Sequence, residues 1–234
     1  MIRAFIETSL VDWDGKISSV IFFDKCNFRC PFCQNWDLII NPDKFPVVKW
    51  EHIEKKLQNK KGWVDGLVLT GGEPLCCEQE VFQVCKKTKK LGLQVKIDTN
   101  GSYPGVLQNL IKSKLIDFVA MDIKAPIDER YNTAAGKQVN LEKIKQSIQM
   151  LLNGEIDYEF RTTCAPGIID ENAIHQIGKD IKGAKKWALQ AHVPDNAYKA
   201  LYRQKLNPEY YKMIKKYLEI ARKYIPNTIL RSKV

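Results

Sequence analysis

The feature that most constrains the fold is a repeated change in the spacing of apolar residues along the chain, from that of a strand to that of a helix. Six times after Lys16, a short apolar segment of strand-forming residues is followed by a segment with apolar residues at helical spacing. Each such helix carries the chain back to the end of the sheet at which the next strand starts. We therefore predict an α/β fold, with a parallel sheet and helices outside it. Six units are fewer than the eight of a complete barrel, and periodicity alone leaves open a curved partial barrel or a flat doubly wound sheet.

The predicted elements follow one another without a linker or an internal repeat. Strands are predicted at residues 2–9, 16–23, 66–70, 94–97, 117–121, 158–164, 187–192 and 228–231. Helices are predicted at residues 49–59, 78–91, 104–115, 141–152, 171–181 and 208–224. We expect one domain over residues 1–234, with an N-terminal strand extension at 1–17 and a C-terminal helix and tail at 208–234.

Cysteine content, hydropathy and charge limit the cellular compartment and the kinds of partner that this protein can have. Seven cysteines, an odd number placed unevenly, argue against a disulfide framework and indicate a reducing compartment. No segment reaches the roughly 18 apolar residues of a membrane span, so we expect a soluble cytoplasmic protein.

The basic residues behind the formal charge of +10 lie in runs on predicted helices. This favours a solvated helix surface over a nucleic-acid patch, and steering of an acidic partner protein is a third interpretation.

Three cysteines lie within eight residues, directly after the apolar run that ends at Phe23. Cys26, Cys30 and Cys33 have the spacing C-x3-C-x2-C, and the aromatic Phe32 precedes the third. Three thiolates from one loop can each bind a different iron of an iron-sulfur cluster, and without a fourth cysteine one iron keeps an open coordination position. An open position indicates catalysis rather than electron storage. A zinc knuckle and metal-free thiols are the alternatives.

A glycine-rich turn with an acid follows the next predicted strand. Gly71 and Gly72 allow the backbone to approach a ligand closely, and Glu73 can accept hydrogen bonds from an ammonium group. An ordinary strand-to-helix turn is the alternative for this motif. Because the ligand crevice of a parallel sheet lies at the carboxyl ends of its strands, residues at this position carry weight.

Polar residues also follow the later strands. Asp98, Thr99 and Asp122 offer hard oxygen ligands suited to a small cation, and Lys124 could meet a carboxylate or a ribose oxygen. Turn chemistry and surface salt bridges are the alternatives here. Arg161 lies inside an otherwise apolar strand, so it either forms a core salt bridge or points into the site.

Taken together, these motifs resemble those of the radical S-adenosylmethionine (radical SAM) enzymes. The cysteine spacing with Phe32, followed one βα unit later by Gly-Gly-Glu-Pro, is the signature of that superfamily. The stretches Asp98–Gly101 and Asp122–Lys124 resemble those of glycyl-radical-enzyme activating enzymes, in particular the enzymes that serve anaerobic ribonucleoside-triphosphate reductase. The resemblance extends over essentially the whole chain. It implies a partial (β/α)6 barrel, with a curved parallel sheet and helices outside.

The resemblance also implies cofactors and residue roles. The three cysteines would hold one 4Fe-4S cluster, and the chain would bind SAM and a monovalent cation. SAM contacts would come from Phe32, Gly71, Gly72, Glu73, Asp122, Lys124 and His192. The cation ligands would be Asp98, Thr99 and Asp122. The sequence departs from the family pattern in Gln34-Asn35-Trp36, Asp24-Lys25 and Ala191-His-Val-Pro194, which bears on the protein substrate rather than on SAM.

The implied activity is reductive cleavage of SAM, with an electron from a flavodoxin or ferredoxin, followed by removal of a hydrogen atom from a glycine of a partner enzyme. The protein then positions SAM and excludes water and oxygen. Three alternatives stay open from the sequence: a radical SAM enzyme that modifies a nucleoside, RNA or peptide, a non-catalytic iron-sulfur electron carrier, and a zinc-containing nucleic-acid module.

Overall fold

The computed structural model describes residues 1–232. Its strands are β1 Ile2–Ser9, β2 Ser18–Phe23, β3 Gly66–Gly71, β4 Gln94–Thr99, β5 Phe118–Asp122, β6 Asp157–Cys164, β7 Trp187–Ala191 and β8 Thr228–Arg231. Its α-helices are α1 Trp36–Ile40, α2 Trp50–Asn59, α3 Glu78–Lys90, α4 Pro104–Lys112, α5 Arg130–Ala135, α6 Leu141–Asn153, α7 Glu171–Asp180 and α8 Pro208–Arg222. Short 3-10 helices lie at Pro42–Lys44, Pro74–Cys77 and Ala200–Arg203.

All eight predicted strands and all six predicted helices are present, with ends shifted by a few residues. The helices α1 and α5 were not predicted, because five or six residues are too few to show a helical period. The predicted fourth and fifth strands ended too early. Thr99 is the last residue of β4 and Asp122 the last of β5, so both lie in strands rather than in the loops that follow.

The chain forms two compact units. The first comprises Met1–Asn27, Asp37–Thr99 and Tyr103–Ala120. In it, β1 is antiparallel to β2, whereas β2, β3 and β4 run parallel. Val20 lies opposite Val68 in the register, and both side chains are fully buried. β-Branched residues on a central strand pack well on both faces, which explains the nearly continuous apolar runs of β2 and β3.

The second unit comprises Phe28–Trp36, Asn100–Ser102 and the chain from Met121 onward. Here β6, β7 and β8 are parallel neighbours, and Leu189 of β7 pairs with Leu230 of β8. Asp170 and Asn207 cap the N-termini of α7 and α8 with their side chains. These caps fix where each helix begins after the carboxyl end of a strand. No helix within residues 1–232 is both long enough and apolar enough to cross a membrane.

Candidate functional site

In the first unit, the glycine-rich turn is bonded to the backbone that leads into the cysteine motif. The amide of Gly72 donates a hydrogen bond of 2.8 Å to the carbonyl of Phe23, and the amide of Glu73 donates one of 2.6 Å to the carbonyl of Lys25. Lys25 directly precedes Cys26 in the chain. The end of β3 therefore holds the start of the cysteine motif in place.

The two glycines of this turn have no room for a side chain. Gly71 has φ +112, and a Cβ added there would lie 2.3 Å from the amide nitrogen of Phe23. A Cβ on Gly72 would lie 2.2 Å from the carbonyl oxygen of Lys25 and 3.1 Å from Cβ of Cys26. Any other residue would have to push this backbone away. The need for two glycines is thus explained by packing of the turn against residues 23–26.

The carboxylate of Glu73 is buried and oriented by two donors. Its side chain is only 1% exposed, and Oε1 accepts a hydrogen bond from the amide of Leu75 at 3.1 Å and one from Oγ1 of Thr99 at 2.8 Å. The sequence predicted Glu73 as a SAM contact and Thr99 as a cation ligand. The structure brings the two side chains into direct contact, so the orientation of the Glu73 carboxylate depends on Thr99.

Asp98 forms an ion pair with a lysine that the sequence analysis did not single out. Nζ of Lys96 lies 3.0 Å from Oδ1 of Asp98, and the two side chains are 3% and 11% exposed. The ammonium group thus neutralises the carboxylate within β4. The sequence did contain a signal for this pair, because Lys96 lies within a predicted strand and its neighbours in the chain are buried. A cation site at Asp98, Thr99 and Asp122 stays a prediction.

Among the cysteines outside the motif, Cys77, Cys85 and Cys164 are buried. Cys76 differs, because its Sγ donates a hydrogen bond of 3.2 Å to the hydroxyl of Tyr103. Burial raises the pKa of the Cys76 thiol and that of the Tyr103 hydroxyl. Both groups therefore stay protonated at neutral pH.

In the second unit, Cys30 and Cys33 lie in one tight turn. The amide of Cys33 donates a hydrogen bond of 3.1 Å to the carbonyl of Cys30. Burial raises the pKa of the Cys30 thiol to about 12 and also raises that of Cys33. Phe32 is buried between them and its ring lies 6.3 Å from that of Tyr202. The thiolate is the form that binds metal, and metal binding releases the thiol proton. These buried thiols can therefore serve as ligands although their pKa values are high in the metal-free protein.

Asp122, Lys124 and Arg161 form an ion triad in the second unit. Nζ of Lys124 lies 2.8 Å from Oδ2 of Asp122, and Nε of Arg161 donates to Oδ1 at 2.8 Å. Burial opposes ionisation of Asp122, but the charges of Arg161 and Lys124 outweigh it and hold the pKa of the carboxyl well below its usual range. Arg161, for which the sequence left two roles open, is thus the salt-bridge partner of a predicted SAM contact.

The hydroxyl of Tyr131 also belongs to this cluster, although no sequence motif predicted it. The backbone amide of Lys124 donates to the Tyr131 hydroxyl, which in turn donates to the carbonyl of Asp122, both at 3.4 Å. Tyr131 is fully buried. It lies in α5, the short helix for which the sequence offers no periodic signal.

In the second unit, the side chain and the backbone amide of His192 each make one hydrogen bond. Its side chain is 3% exposed, and Nε2 donates to the carbonyl of Tyr202 at 2.7 Å. Its amide lies 2.6 Å from the hydroxyl of Tyr210, which donates to the carbonyl of Cys164. A cavity of about 370 Å³ lies beside it, lined among others by Pro166, His192, Leu201, Tyr202, Tyr210 and Met213. A SAM contact by His192 stays a prediction.

Known proteins are similar to this chain over most or nearly all of its length. Residues 20–176 match the family model of the radical SAM superfamily. A Methanocaldococcus jannaschii protein provisionally named a glycyl-radical enzyme activating enzyme is 32% identical, over 99% of this chain and 96% of its own length. The pyruvate formate-lyase 1-activating enzyme of Escherichia coli K12 is 27% identical, over 76% of this chain and 73% of its own.

Among solved structures, Streptococcus suis SuiB bound to S-adenosylmethionine is similar in fold. Its TM-score is 0.66 at 15% identity, and the match covers 91% of this chain and half of the SuiB chain. The likeness confirms the predicted fold class, the α/β partial barrel of the radical SAM type.

The cofactors of the superfamily are a 4Fe-4S cluster and SAM, and the residues present fit them. The three motif cysteines form no disulfide, and thiolates are the ligands that such a cluster takes. A glycine-only turn next to Cys26 and an oriented, buried carboxylate at Glu73 suit close approach of a ligand that carries an ammonium group. The family match, the full-length relative and this donor set agree. The chain is a radical SAM enzyme and belongs, within that superfamily, to the glycyl-radical-enzyme activating enzymes.

Proposed function

We propose that this chain installs a glycyl radical on a partner enzyme, and that the partner is an anaerobic ribonucleoside-triphosphate reductase. The observation that carries the proposal is the match, over 99% of this chain, with the M. jannaschii protein that is provisionally named a glycyl-radical enzyme activating enzyme. The reaction removes one hydrogen atom from the α-carbon of a glycine. The products are a glycyl radical on the partner, 5'-deoxyadenosine and methionine.

Residues of this chain would bind and orient the two cofactors. Cys26, Cys30 and Cys33 would hold the cluster, and Glu73 would accept hydrogen bonds from the amino group of SAM. The chemistry that the cofactors supply when bound is one-electron cleavage of SAM to methionine and a carbon-centred radical. No protein acid or base is needed for this reaction, which accords with only three histidines in 234 residues.

The ion triad would act as a second binding element. Lys124 and Arg161 both pair with the carboxylate of Asp122, so two cationic donors lie beside one another. Such donors would attract the carboxylate of SAM and its ribose oxygens. Their mutual ion pairs also fix three long side chains before SAM binds, which lowers the entropy lost on binding.

The choice of partner is supported by the sequence resemblance over residues 8–20, 98–101, 119–126 and 157–163. Two relatives carry the name of another partner, because the proteins of E. coli and of Clostridium pasteurianum are pyruvate formate-lyase-activating enzymes. Pyruvate formate-lyase is therefore the second candidate. The two candidates share the chemistry and differ only in the protein that contains the glycine.

The first test measures SAM cleavage without any partner. The protein is reconstituted anaerobically with iron and sulfide, given SAM and dithionite, and assayed for 5'-deoxyadenosine. We expect product from the wild type and none from Cys30→Ala. Cys85→Ala, which removes a buried cysteine outside the motif, should retain the activity. A fully loaded cluster without product would contradict the enzyme assignment.

The second test identifies the partner. The reduced protein with SAM is mixed with an anaerobic ribonucleoside-triphosphate reductase or with a pyruvate formate-lyase, and the glycyl radical is measured by electron paramagnetic resonance. We expect the radical on the reductase. A radical on the lyase alone would move the proposal to the second candidate. SAM cleavage with no radical on either protein would favour a different substrate class.

A further inference from the structure

A segment of the second unit lies directly on the part of the cysteine motif that belongs to the same unit. We call residues 193–205 the strap, and residues 30–36 the cysteine segment. The amide of Lys199 donates a hydrogen bond of 2.8 Å to the carbonyl of Pro31, the residue after Cys30. Gln34 donates from Nε2 to the carbonyl of Val193, and Asn196 donates from Nδ2 to the carbonyl of Gln34. The strap therefore follows the cysteine segment closely.

Aromatic contacts complete this association. The rings of Trp36 and Tyr198 lie 5.6 Å apart, and the guanidinium of Arg203 lies 5.6 Å from the Trp36 ring centre. On the other side of the cysteine segment, Phe32 contacts Tyr202. Because the contacts use both ring pairs and backbone hydrogen bonds, the strap is an ordered cover of the cysteine segment rather than a loose loop.

The other side of the strap is exposed and basic. Leu201 is 70% exposed. Lys199 and Lys205, two residues before and four residues after it in the chain, are exposed, and Lys205 lines the same cavity as Leu201. The strap has three cations and one carboxylate, Asp195, so its net charge is +2. An exposed apolar residue with exposed lysines near it in the chain complements an acidic protein surface with an apolar centre.

We infer that the exposed face of the strap is the docking surface for an acidic one-electron donor protein of the flavodoxin or ferredoxin class. The inference rests on reductive SAM cleavage, the part of the proposed function that needs an external electron, and not on the identity of the glycyl radical enzyme. The donor reduces the cluster by one electron and is itself oxidised by one electron. No bond of this chain is made or broken in that step.

Two features favour the donor over the glycyl radical enzyme as the occupant. The strap contacts residues 31–36 directly, so a protein bound to its outer face is separated from Cys30 and Cys33 by one layer of residues. An electron can cross such a layer, whereas hydrogen-atom transfer needs contact between the reacting groups. The positive charge of the strap would also speed association with an acidic donor.

The experiment compares two electron sources for the same reaction. SAM cleavage is measured with reduced methyl viologen, which needs no docking surface, and with a reduced flavodoxin or a reduced ferredoxin. The strap variant is Lys199→Glu/Lys205→Glu. We chose these two lysines because Arg203 donates to the carbonyls of Ala197 and Tyr198 and so supports the strap itself.

The matched control is Lys86→Glu/Lys90→Glu on α3 of the first unit, where both lysines are exposed. Each double variant changes the formal charge by the same amount, from +10 to +6. Any effect of net charge alone should therefore be equal in the two variants. A third variant, Leu201→Ser, removes the exposed apolar side chain without a change in charge.

We expect the strap variant to keep the viologen-supported rate and to show about a tenfold rise in the KM for the donor protein at low salt. The difference from the control should shrink as the ionic strength rises, because salt screens exposed charges. Leu201→Ser should raise the donor KM at all salt concentrations.

Equal donor KM values for the strap and control variants would overturn the inference. It would also be overturned if neither donor protein supported SAM cleavage by the wild type. If the strap variant kept donor-supported cleavage but lost radical transfer to the glycyl radical enzyme, the strap would be the surface for that enzyme instead. Because 5'-deoxyadenosine is measured without the glycyl radical enzyme, a wrong partner assignment leaves this result unaffected.

Discussion

The amide of Glu73 donates a hydrogen bond of 2.6 Å to the carbonyl of Lys25, the residue directly before Cys26. One residue of the turn thus has two tasks, because its backbone holds the entry to the cysteine motif and its carboxylate is oriented by Thr99. The geometry of the cluster ligand and that of the proposed SAM contact are therefore coupled within the first unit. Changes in the turn should affect both.

Replacement of Gly72 by alanine should impair cluster binding. The added Cβ would lie 2.2 Å from the carbonyl oxygen of Lys25, so the backbone before Cys26 must move, at a cost of about 1–3 kcal/mol. We expect less iron per chain after reconstitution and a lower rate of SAM cleavage. The control is Gly105→Ala in α4, where an added Cβ meets nothing within 4 Å. Equal iron content in the two variants would contradict the coupling.

Removal of the Thr99 hydroxyl should weaken SAM binding. Thr99→Val leaves Oε1 of Glu73 without its 2.8 Å hydrogen bond, and a loss of about 1 kcal/mol corresponds to a roughly fivefold higher KM for SAM. Thr99→Ser should restore the KM, because the donor is kept.

The same residue tests the predicted cation site. If Thr99 is a cation ligand, wild-type activity should fall when sodium and potassium are replaced by tetramethylammonium, which is too large for a site of oxygen ligands. A rate that does not depend on the cation, together with a raised KM in Thr99→Val, would assign Thr99 to the orientation of Glu73 alone.

Neutralising Asp122 should destabilise the protein. Asp122→Asn removes the carboxylate that pairs with the buried charges of Lys124 and Arg161, and loss of one partner of a buried ion pair typically costs about 3–5 kcal/mol of unfolding free energy. The exposed pair of Asp157 with Lys185 supplies the control, since Asp157→Asn should change stability by less than about 1 kcal/mol. Urea unfolding followed by circular dichroism measures both. A small effect for Asp122→Asn would show that the triad contributes little to the fold.

The pH dependence of this effect has a definite sign. The pKa of Asp122 in the folded protein lies below its ordinary value of 3.8, so its contribution to stability is complete above that value and is lost as the pH falls toward the folded pKa. The difference in unfolding free energy between wild type and Asp122→Asn should thus be constant near neutral pH and shrink below pH 3.8. A difference that grew on acidification would contradict this assignment.

His192→Phe should loosen the strap. The phenyl ring keeps the shape but cannot donate the 2.7 Å hydrogen bond to the Tyr202 carbonyl, a loss of about 1 kcal/mol or roughly fivefold in local opening. Hydrogen–deuterium exchange of a peptide over residues 193–205 measures this. His175→Phe, which removes a hydrogen bond to Tyr224, is the control. Unchanged exchange with weaker SAM binding would instead support the role as a SAM contact that the sequence predicted.

Much of the fold follows from patterns within single segments. The helix α6 was predicted at 141–152 and lies at Leu141–Asn153, because Ile144, Ile148 and Leu151 form one apolar face. In contrast, α1 and α5 were missed, because their formation depends on packing rather than on a period of their own. Tyr131 was missed for the same reason, since its place beside Asp122 and Lys124 comes from α5.

The sequence by itself determined the cysteine motif, the Gly-Gly-Glu-Pro turn and the alternation of strands with helices, because each depends on residue types at short fixed spacing. Only the tertiary structure decided the partners of the polar groups. It paired Lys96 with Asp98, joined Thr99 to Glu73 and connected His192 to Tyr202. It also placed the strap on the cysteine segment. The physical reason is that a buried polar group must find a partner in space, and the strand register and loop path that bring the partner there leave no local pattern in the chain.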